Sequence, residues 1–166
     1  MNAALKKHSD TLELVARGDR EIVITRVFDA PRKLVYRAFT EPALVRRWMN
    51  GPGGYSMPVC DIDLRVGGKY RNVWKSDKDG SEMALVGEFR EIVPNERIVR
   101  TETFEGPWSP GETVGTVEFI ESDGKTTVRT TMVYPSQQAR DGMLKSGMKQ
   151  GLAMSYDRLE ELLEEK

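Results

Sequence analysis

The sequence has little of the chemistry from which metal sites and acid–base relays are built. Its 166 residues include one cysteine and one histidine. Because Cys60 stands alone, an intrachain disulfide and a cysteine-rich metal site are excluded, and we interpret it as a small apolar residue within a strand. The histidine, His8, falls in a polar N-terminal stretch, which argues against a histidine relay or a histidine metal site. We therefore expect no metal and no cofactor.

Long apolar runs and an excess of either charge are also absent. No stretch approaches the roughly 20 apolar residues of a membrane-spanning helix, and the N-terminal residues lack the continuous apolar core of a signal peptide. The formal net charge is −1 and the pI is about 6.0, so no basic surface for nucleic acid or an anionic membrane is indicated. These absences predict a cytoplasmic protein with no nucleic-acid partner and no membrane insertion.

The motifs of common enzyme classes are missing as well. The chain has no G-x-S-x-G, and its GPGG stretch at Gly51 lacks the Lys-Ser/Thr pair of a phosphate-binding loop. Asp61 and Asp63 alternate on one strand, and we interpret them as solvent-exposed rather than as a catalytic pair. No residue is assigned a catalytic role, because no pair of groups identifies an acid and a base.

What is present is a regular succession of strands and short helices. Residues 1–20 are predicted to form a partly mobile N-terminal extension with a short leading strand at 12–16, and residues 21–166 to form a single domain. The β-branched run EIVITRVF predicts a strand. Two short helices follow, the first starting at Pro31 and the second capped by Thr40. Six further strands are predicted from alternation and turn residues, at 59–64, 69–75, 83–93, 97–104, 112–120 and 126–134.

The C-terminal stretch, capped by Ser136, has the apolar spacing of one long helix. Its first half nevertheless carries Gly142, Gly147 and Gly151, and each glycine in a helix interior is less stable than alanine by about 1 kcal/mol. Two interpretations remain open. The glycines relieve crowding against the sheet or fray the start of the helix, or they leave space for an internal cavity beneath residues 143–152.

Strand alternation and the helical stripe together predict the wall of such a cavity. Arg100 or Arg26 is expected to pair with Glu102, either structurally or to orient a ligand, because a buried charge needs a partner. Apolar walls with a few convergent polar groups are typical of small-molecule sites. The candidate ligand-binding residues are Tyr70, Asn72, Trp74, Met83, Leu85, Phe89, Arg100, Val117, Phe119, Met132, Tyr134, Leu144, Met148, Leu152 and Tyr156.

The chain resembles the bacterial homologues of the activator of the heat-shock-protein-90 ATPase, within the START-like (SRPBCC) superfamily. The similarity runs from residue 21 to 163 and is carried by ITRVFDAPRKLVYRAFTEPALVRRWM, DLRVGGKYR, GEFREIVPNERIVRTETF and SYDRLEELL. It implies an α+β helix-grip fold, in which a curved seven-stranded antiparallel sheet surrounds a long C-terminal helix and two short helices follow the first strand. It also implies a deep hydrophobic cavity, which the superfamily uses for lipids, sterols, polyketides and plant hormones.

One position departs from that resemblance. Many relatives have a tryptophan after the glycine that corresponds to Gly151, whereas this chain has Leu152. If this position lines the cavity, the pocket is larger here and its ligand is different.

Three functions are compatible with these features. The first, and the one we favour, is a non-enzymatic binding protein for an apolar or aromatic small molecule such as a lipid or a polyketide. The second is an enzyme of the polyketide cyclase or aromatase kind, with the cavity tyrosines or Arg100 as polar participants. The third is a chaperone or stress-response partner that uses Trp48 and Trp108 as exposed anchors. A hydrophobic small molecule is thus the expected partner, with a chaperone partner and a homodimer as open alternatives.

Overall fold

An eight-stranded antiparallel sheet forms the frame of the protein, and its inner face packs against the C-terminal helix. The structure, a computed structural model, describes residues 12–49, 54–105, 109 and 111–165, so the predictions for His8, Gly51 and Trp108 lie outside the described residues. The elements are β1 (Glu13–Arg17), β2 (Glu21–Phe28), α1 (Arg32–Thr40), α2 (Pro42–Trp48), β3 (Tyr55–Ile62), β4 (Lys69–Ser76), β5 (Glu82–Val93), β6 (Arg97–Glu105), β7 (Thr113–Ser122), β8 (Lys125–Val133), α3 (Gln137–Lys145) and α4 (Met148–Glu164).

The strand order is β1-β2-β8-β7-β6-β5-β4-β3. The chain from β3 to β8 is a meander in which each strand pairs with the next, as the regular turn signals predict. β2 pairs with β8 on the other side of this meander, with Ile24 opposite Thr130. This confirms the α+β class and the antiparallel sheet around a C-terminal helix.

The sheet has one more strand than the seven predicted. β1 pairs with β2, with Leu14 opposite Ile24, and Leu12 is buried in the main core. Residues 12–17 therefore belong to the sheet and not to an extension outside the domain. The short leading strand that the apolar residues indicated is present, because the turn at Gly18, with its positive φ of 59°, folds it back onto β2.

The prediction that Thr40 caps the second short helix is wrong. Its hydroxyl donates to the carbonyl of Tyr36, within α1, and α2 begins at Pro42 after an extended Glu41. The ring of a proline disfavours helical conformation in the residue before it, so the helix stops at Thr40 and restarts at Pro42. Proline at this first helical position has no N–H of its own that would need a partner.

The C-terminal helix is also not one continuous element. It breaks at Gly147, whose φ of 80° is left-handed, and this residue separates α3 from α4. Ser136 caps α3 as predicted, because its hydroxyl accepts a hydrogen bond from the backbone N–H of Ala139. The break divides the predicted helix into the short α3 and the longer α4.

The main core lies between the inner face of the sheet and α4, with α1 and α2 closing one end. Tyr156 of α4 lies at its centre, with edge-to-face or tilted ring contacts to Phe28, Phe39 and Trp48. Trp48 is only 2% exposed and its indole N–H donates to the carbonyl of Ala38. It is therefore a core residue and not an exposed anchor for a partner.

The predictions that Cys60 is buried and that Asp61 and Asp63 are exposed are confirmed. Cys60 is 3% exposed in a small second core beside Val45 and Met57, and burial raises the pKa of its thiol. It is a small apolar residue and not a reactive thiolate. Asp61 and Asp63 are exposed, and Asp63 accepts a hydrogen bond from Arg65. Within the described residues, no helix is long and apolar enough to span a membrane.

Candidate ligand-binding site

A cavity of about 290 Å³ lies between the inner face of the sheet and the start of α4, and α1, α2 and α3 also contribute to its wall. Most of its lining side chains are aliphatic or aromatic, as in sites that bind small molecules. The wall consists of Ile24, Phe39, Thr40, Trp48, Met49, Ile62, Trp74, Leu85, Phe89, Ile98, Arg100, Glu102, Phe104, Gly111, Thr113, Val117, Thr130, Met132, Tyr134, Met143, Met148, Leu152, Ser155 and Tyr156.

Most of the residues predicted from alternation and helical spacing lie on this wall. They come from five strands or strand ends and from α4, so the inward face of the sheet was assigned correctly along β4 to β8. Those that the structure brings together are Trp74, Leu85, Phe89, Arg100, Val117, Met132, Tyr134, Met148, Leu152 and Tyr156.

Five predicted residues are not on the wall. Met83, at the start of β5, is 47% exposed because the cavity does not extend to that end of the strand. Phe119 is buried against Tyr36 and Phe39, beyond the cavity, and Leu144 packs on the rim of the main core. The other two, Asn72 and Tyr70, are buried side chains that carry polar groups.

Asn72 and Tyr70 lie behind the wall, on β4. Asn72 is 2% exposed between its cross-strand neighbours Cys60 and Leu85, and its side-chain oxygen is buried with no hydrogen-bond partner in the described part of the chain. The Tyr70 hydroxyl donates to the carbonyl of Thr101 on β6, 2.6 Å away, and this bond holds the ring inside the sheet. Neither side chain is placed to touch a molecule in the cavity.

Several wall residues were not among the predicted ligand-binding residues. Ile98 and Phe104 follow the same alternation along β6 as Arg100 and Glu102, the pair expected to supply the polar group, so the period-2 pattern was sufficient to find them. The contributions of α1, α2 and α3, such as Phe39 and Met143, had no such signal. They reach the cavity only because the short helices fold over the open end of the sheet.

The polar part of the wall centres on Arg100. Its Nε donates to Oε2 of Glu102, 3.3 Å away, and its guanidinium lies over the Tyr70 ring at 4.4 Å from the centroid. Both charged side chains keep less than a fifth of their surface exposed. Burial opposes the charged form, but the neighbouring Tyr70 and Glu102 raise the pKa of Arg100 above its ordinary value, so the guanidinium stays protonated.

The alternative pairing of Arg26 with Glu102 does not occur. Arg26 is fully buried and pairs with α4 instead, with Nη1 3.1 Å from Oδ1 of Asp157 and Nη2 3.9 Å from Oε1 of Glu160. Arg100 is therefore the cation of the cavity, and Arg26 is a cation between β2 and α4 that does not line it.

Two glycines of the sheet make room for this polar group. Gly87 is the cross-strand neighbour of Tyr70, and a Cβ at Gly87 would lie 2.7 Å from the Tyr70 ring and hydroxyl and closer still to the carbonyl of Thr101. Gly115 lies opposite Arg100, and a Cβ there would lie 3.0 Å from Oε2 of Glu102. The absence of these two side chains allows Tyr70 to support Arg100 and allows Glu102 to reach it.

Two tyrosines complete the polar wall. Burial raises the pKa of Tyr156 to about 12, partly offset by its hydrogen bond with Thr130, and burial followed by the charge of Glu102 raises the pKa of Tyr134 to about 12. Both phenols are therefore protonated at neutral pH. Neither phenol is a base at neutral pH.

The glycines of the C-terminal helices do not line the cavity, so the interpretation that they thin its wall is wrong. The cavity does lie beneath residues 143–152, but the wall there consists of Met143, Met148 and Leu152. A Cβ at Gly142, Gly147 or Gly151 would meet nothing within 4 Å. Gly147 is needed for the left-handed break, and the other two relieve no crowding.

This difference predicts opposite effects of alanine at two neighbouring glycines. Gly142→Ala is expected to raise the free energy of unfolding by about 0.5–1 kcal/mol, because alanine is the better helix former and has space. Gly147→Ala is expected to lower it by about 1–2 kcal/mol, because an L side chain disfavours the left-handed conformation. Urea unfolding of both variants measures this, and a loss of stability in Gly142→Ala would contradict the structure.

Metal chemistry has no site in the described part of the chain, where no three His, Cys, Asp or Glu side chains are grouped to hold an ion. What the site offers is a largely apolar cavity, one charge-balanced ion pair and two protonated phenols.

An antiparallel sheet that grips a C-terminal helix over an internal cavity is the helix-grip architecture of the START-like superfamily. The family described as "Activator of Hsp90 ATPase homolog 1-like protein" matches residues 29–164, and the chain belongs to this family. No protein of curated description matches the sequence significantly.

Solved structures from several bacteria share the fold. A protein from Rhodobacter sphaeroides is 25% identical, with a TM-score of 0.86 over 92% of this chain and 97% of that one. A protein from Chromobacterium violaceum is 28% identical, with a TM-score of 0.77 over 89% of this chain and 99% of that one. An AHSA1-like protein from Aeromonas hydrophila, at 20% identity, has a TM-score of 0.70 over 88% and 96% of the two chains and supports the fold alone.

Proposed function

We propose that the protein binds an apolar or aromatic small molecule in the cavity between its sheet and α4. The observation that carries this proposal is a largely apolar cavity of about 290 Å³ that is lined by residues of the main core. Apolar voids of this size are few in folded domains, since each one forfeits the contacts that would fill it. A bound molecule would restore the contacts that the empty cavity lacks.

The size of the cavity limits the occupant. An apolar protein cavity of about 150 Å³ takes up benzene, so about 290 Å³ suits a molecule of roughly two rings or a short branched chain. Uptake removes the apolar surface of the ligand and of the wall from water, which contributes about 25 cal/mol per Å². The two phenols are protonated at neutral pH, so neither supplies the base that an acid–base reaction in the cavity would need.

The proposal is tested on the purified full chain. Native mass spectrometry will detect a small molecule that has copurified, and thermal unfolding in the presence of two-ring aromatic compounds and medium-chain lipids will detect others. A ligand at 100 times its dissociation constant is expected to add about 2.7 kcal/mol to the stability. Absence of any bound molecule, together with absence of any stabilising compound in both classes, would overturn the proposal.

A further inference from the structure

We propose that the preferred occupant of the cavity is an uncharged aromatic or alicyclic molecule with a single hydroxyl or carbonyl oxygen, and that this oxygen lies against Arg100 and Tyr134. This inference rests on the proposed function and specifies the ligand class for the same site. It is based on the hydrogen-bond donors of Arg100 and Tyr134 and on the balance of charge between Arg100 and Glu102.

Arg100 and Tyr134 both place hydrogen-bond donors on the cavity wall. Arg100 lies on the cavity wall, and the side-chain hydrogen bond that it makes among the described residues is from Nε to Glu102, so its terminal nitrogens are further donors at this wall. Tyr134 is 2% exposed and lines the same cavity, so its hydroxyl is a second donor at this wall. A donor left without a partner away from bulk water is unfavourable. An acceptor oxygen on the ligand would satisfy these donors.

The charges of the wall favour a neutral oxygen over an anionic one. Glu102 lies 3.3 Å from Arg100 and already neutralises it. A ligand carboxylate that reached Arg100 would also approach Glu102, and two carboxylates in a partly desolvated site repel each other. A neutral hydroxyl avoids this repulsion. It accepts from Arg100 or Tyr134, and it is able to donate its own proton to the Glu102 carboxylate.

The packing around the pair fixes this geometry before a ligand arrives. Tyr70 is tied to Thr101 and lies under the Arg100 guanidinium, while Gly87 and Gly115 leave the space that Tyr70 and Glu102 occupy. An ion pair held from both sides does not need to reorganise to receive an oxygen, so recognition of that oxygen carries a small ordering penalty.

Three matched probes separate the possibilities: naphthalene, 2-naphthol and 2-naphthoate at pH 7. Dissociation constants come from titrations followed by the methyl resonances of Met132, Met148 and Leu152, which report binding in the cavity itself. In the wild-type protein, 2-naphthol is expected to bind about tenfold more tightly than naphthalene, and 2-naphthoate more weakly than 2-naphthol.

Tyr134→Phe removes one hydroxyl and no carbon. It is expected to weaken 2-naphthol binding by about three- to tenfold, the value of one hydrogen bond, and to change naphthalene binding less than twofold. Tyr36→Phe is the control, because Tyr36 is also buried but lies off the cavity wall. Glu102→Gln removes the anion with little change of shape and is expected to improve 2-naphthoate binding by about fivefold or more.

The outcomes distinguish this inference from the proposed function. If naphthalene and 2-naphthol bind equally, or if Tyr134→Phe weakens both alike, the cavity binds apolar molecules but the oxygen subsite is refuted. Tighter binding of 2-naphthoate than of 2-naphthol to the wild-type protein would show an anion site and would also refute it. Binding of none of the three probes would refute this inference, whereas the proposed function would be decided by the copurified molecule and the medium-chain lipids.

Discussion

Leu152→Trp is expected to abolish binding of two-ring apolar molecules while leaving the protein folded and more stable. Leu152 is half-buried on α4, and its side chain lies on the wall of the cavity. An indole in its place is much larger than the isobutyl group and extends into the space that a ligand needs. We expect the affinity to fall by about 100-fold or more, which corresponds to about 2.7 kcal/mol.

The same substitution is expected to raise the free energy of unfolding by about 0.5–2 kcal/mol, because it fills a cavity with apolar atoms. Opposite signs for binding and stability would separate occlusion of the site from loss of the fold. Calorimetric titration with naphthalene or 2-naphthol measures the first quantity, and urea unfolding of the free protein measures the second.

Met154→Trp is the matched control for this variant. Met154 lies on the same helix, is 41% exposed and does not contribute to the cavity wall. Its replacement adds a tryptophan without changing the cavity and is expected to leave the affinity within about twofold, as is usual for exposed positions away from a site. Unchanged binding in Leu152→Trp would place the binding site somewhere other than this cavity.

Arg26→Met is expected to be the most destabilising substitution among those considered. Arg26 is fully buried, and its guanidinium lies beside Asp157 and Glu160 and 5.0 Å from the centre of the Phe28 ring. Removing the cation leaves two carboxylates of α4 without it, and Glu160 is 2% exposed. Breaking a buried ion pair in this way destabilises proteins by about 3–5 kcal/mol.

A loss of this size lowers the melting temperature of a domain of this length by about 6–20 °C. Differential scanning calorimetry at pH 7 measures it. Arg17→Met is the control, because Arg17 pairs with Glu21 at 2.6 Å on the surface, where such pairs contribute about 1 kcal/mol or less. The double variant Arg26→Met/Glu160→Met is expected to recover part of the loss, since the nearest fully buried carboxylate is removed with its cation. Equal melting temperatures for Arg26→Met and Arg17→Met would contradict this account.

The polar group formed by Arg100, Glu102 and Tyr70 was predicted only in part from the sequence pattern. Alternation along β6 places Arg100 and Glu102 on one face, because side chains two residues apart in a strand point the same way. The same rule counted Tyr70 as a wall residue, and that prediction is wrong. Tyr70 shares the inward face, but its ring occupies the space that Gly87 leaves free. Its hydroxyl donates a hydrogen bond to the carbonyl of Thr101, which holds the ring within the sheet.

The roles of the glycines in the C-terminal helices could not be predicted from the sequence. Their number in one helix suggested a common purpose, yet Gly147 breaks the helix, while Gly142 and Gly151 border open space. The glycines that matter to the cavity are Gly87 and Gly115 in the sheet. Because glycine has no side chain, the sequence gives no indication of what packs against it. Only the folded structure distinguishes these roles.

By itself, the sequence determined the succession of strands and helices, the inward face of most strands and the Ser136 cap, because these depend on backbone preferences and on periodicities of a few residues. The tertiary structure alone decided that Arg26 pairs with α4, that Tyr70 supports Arg100, and that α1 and α2 close the cavity. Those contacts join residues far apart in the chain, and their partners are chosen by the distances and volumes that remain once the sheet has curved around α4.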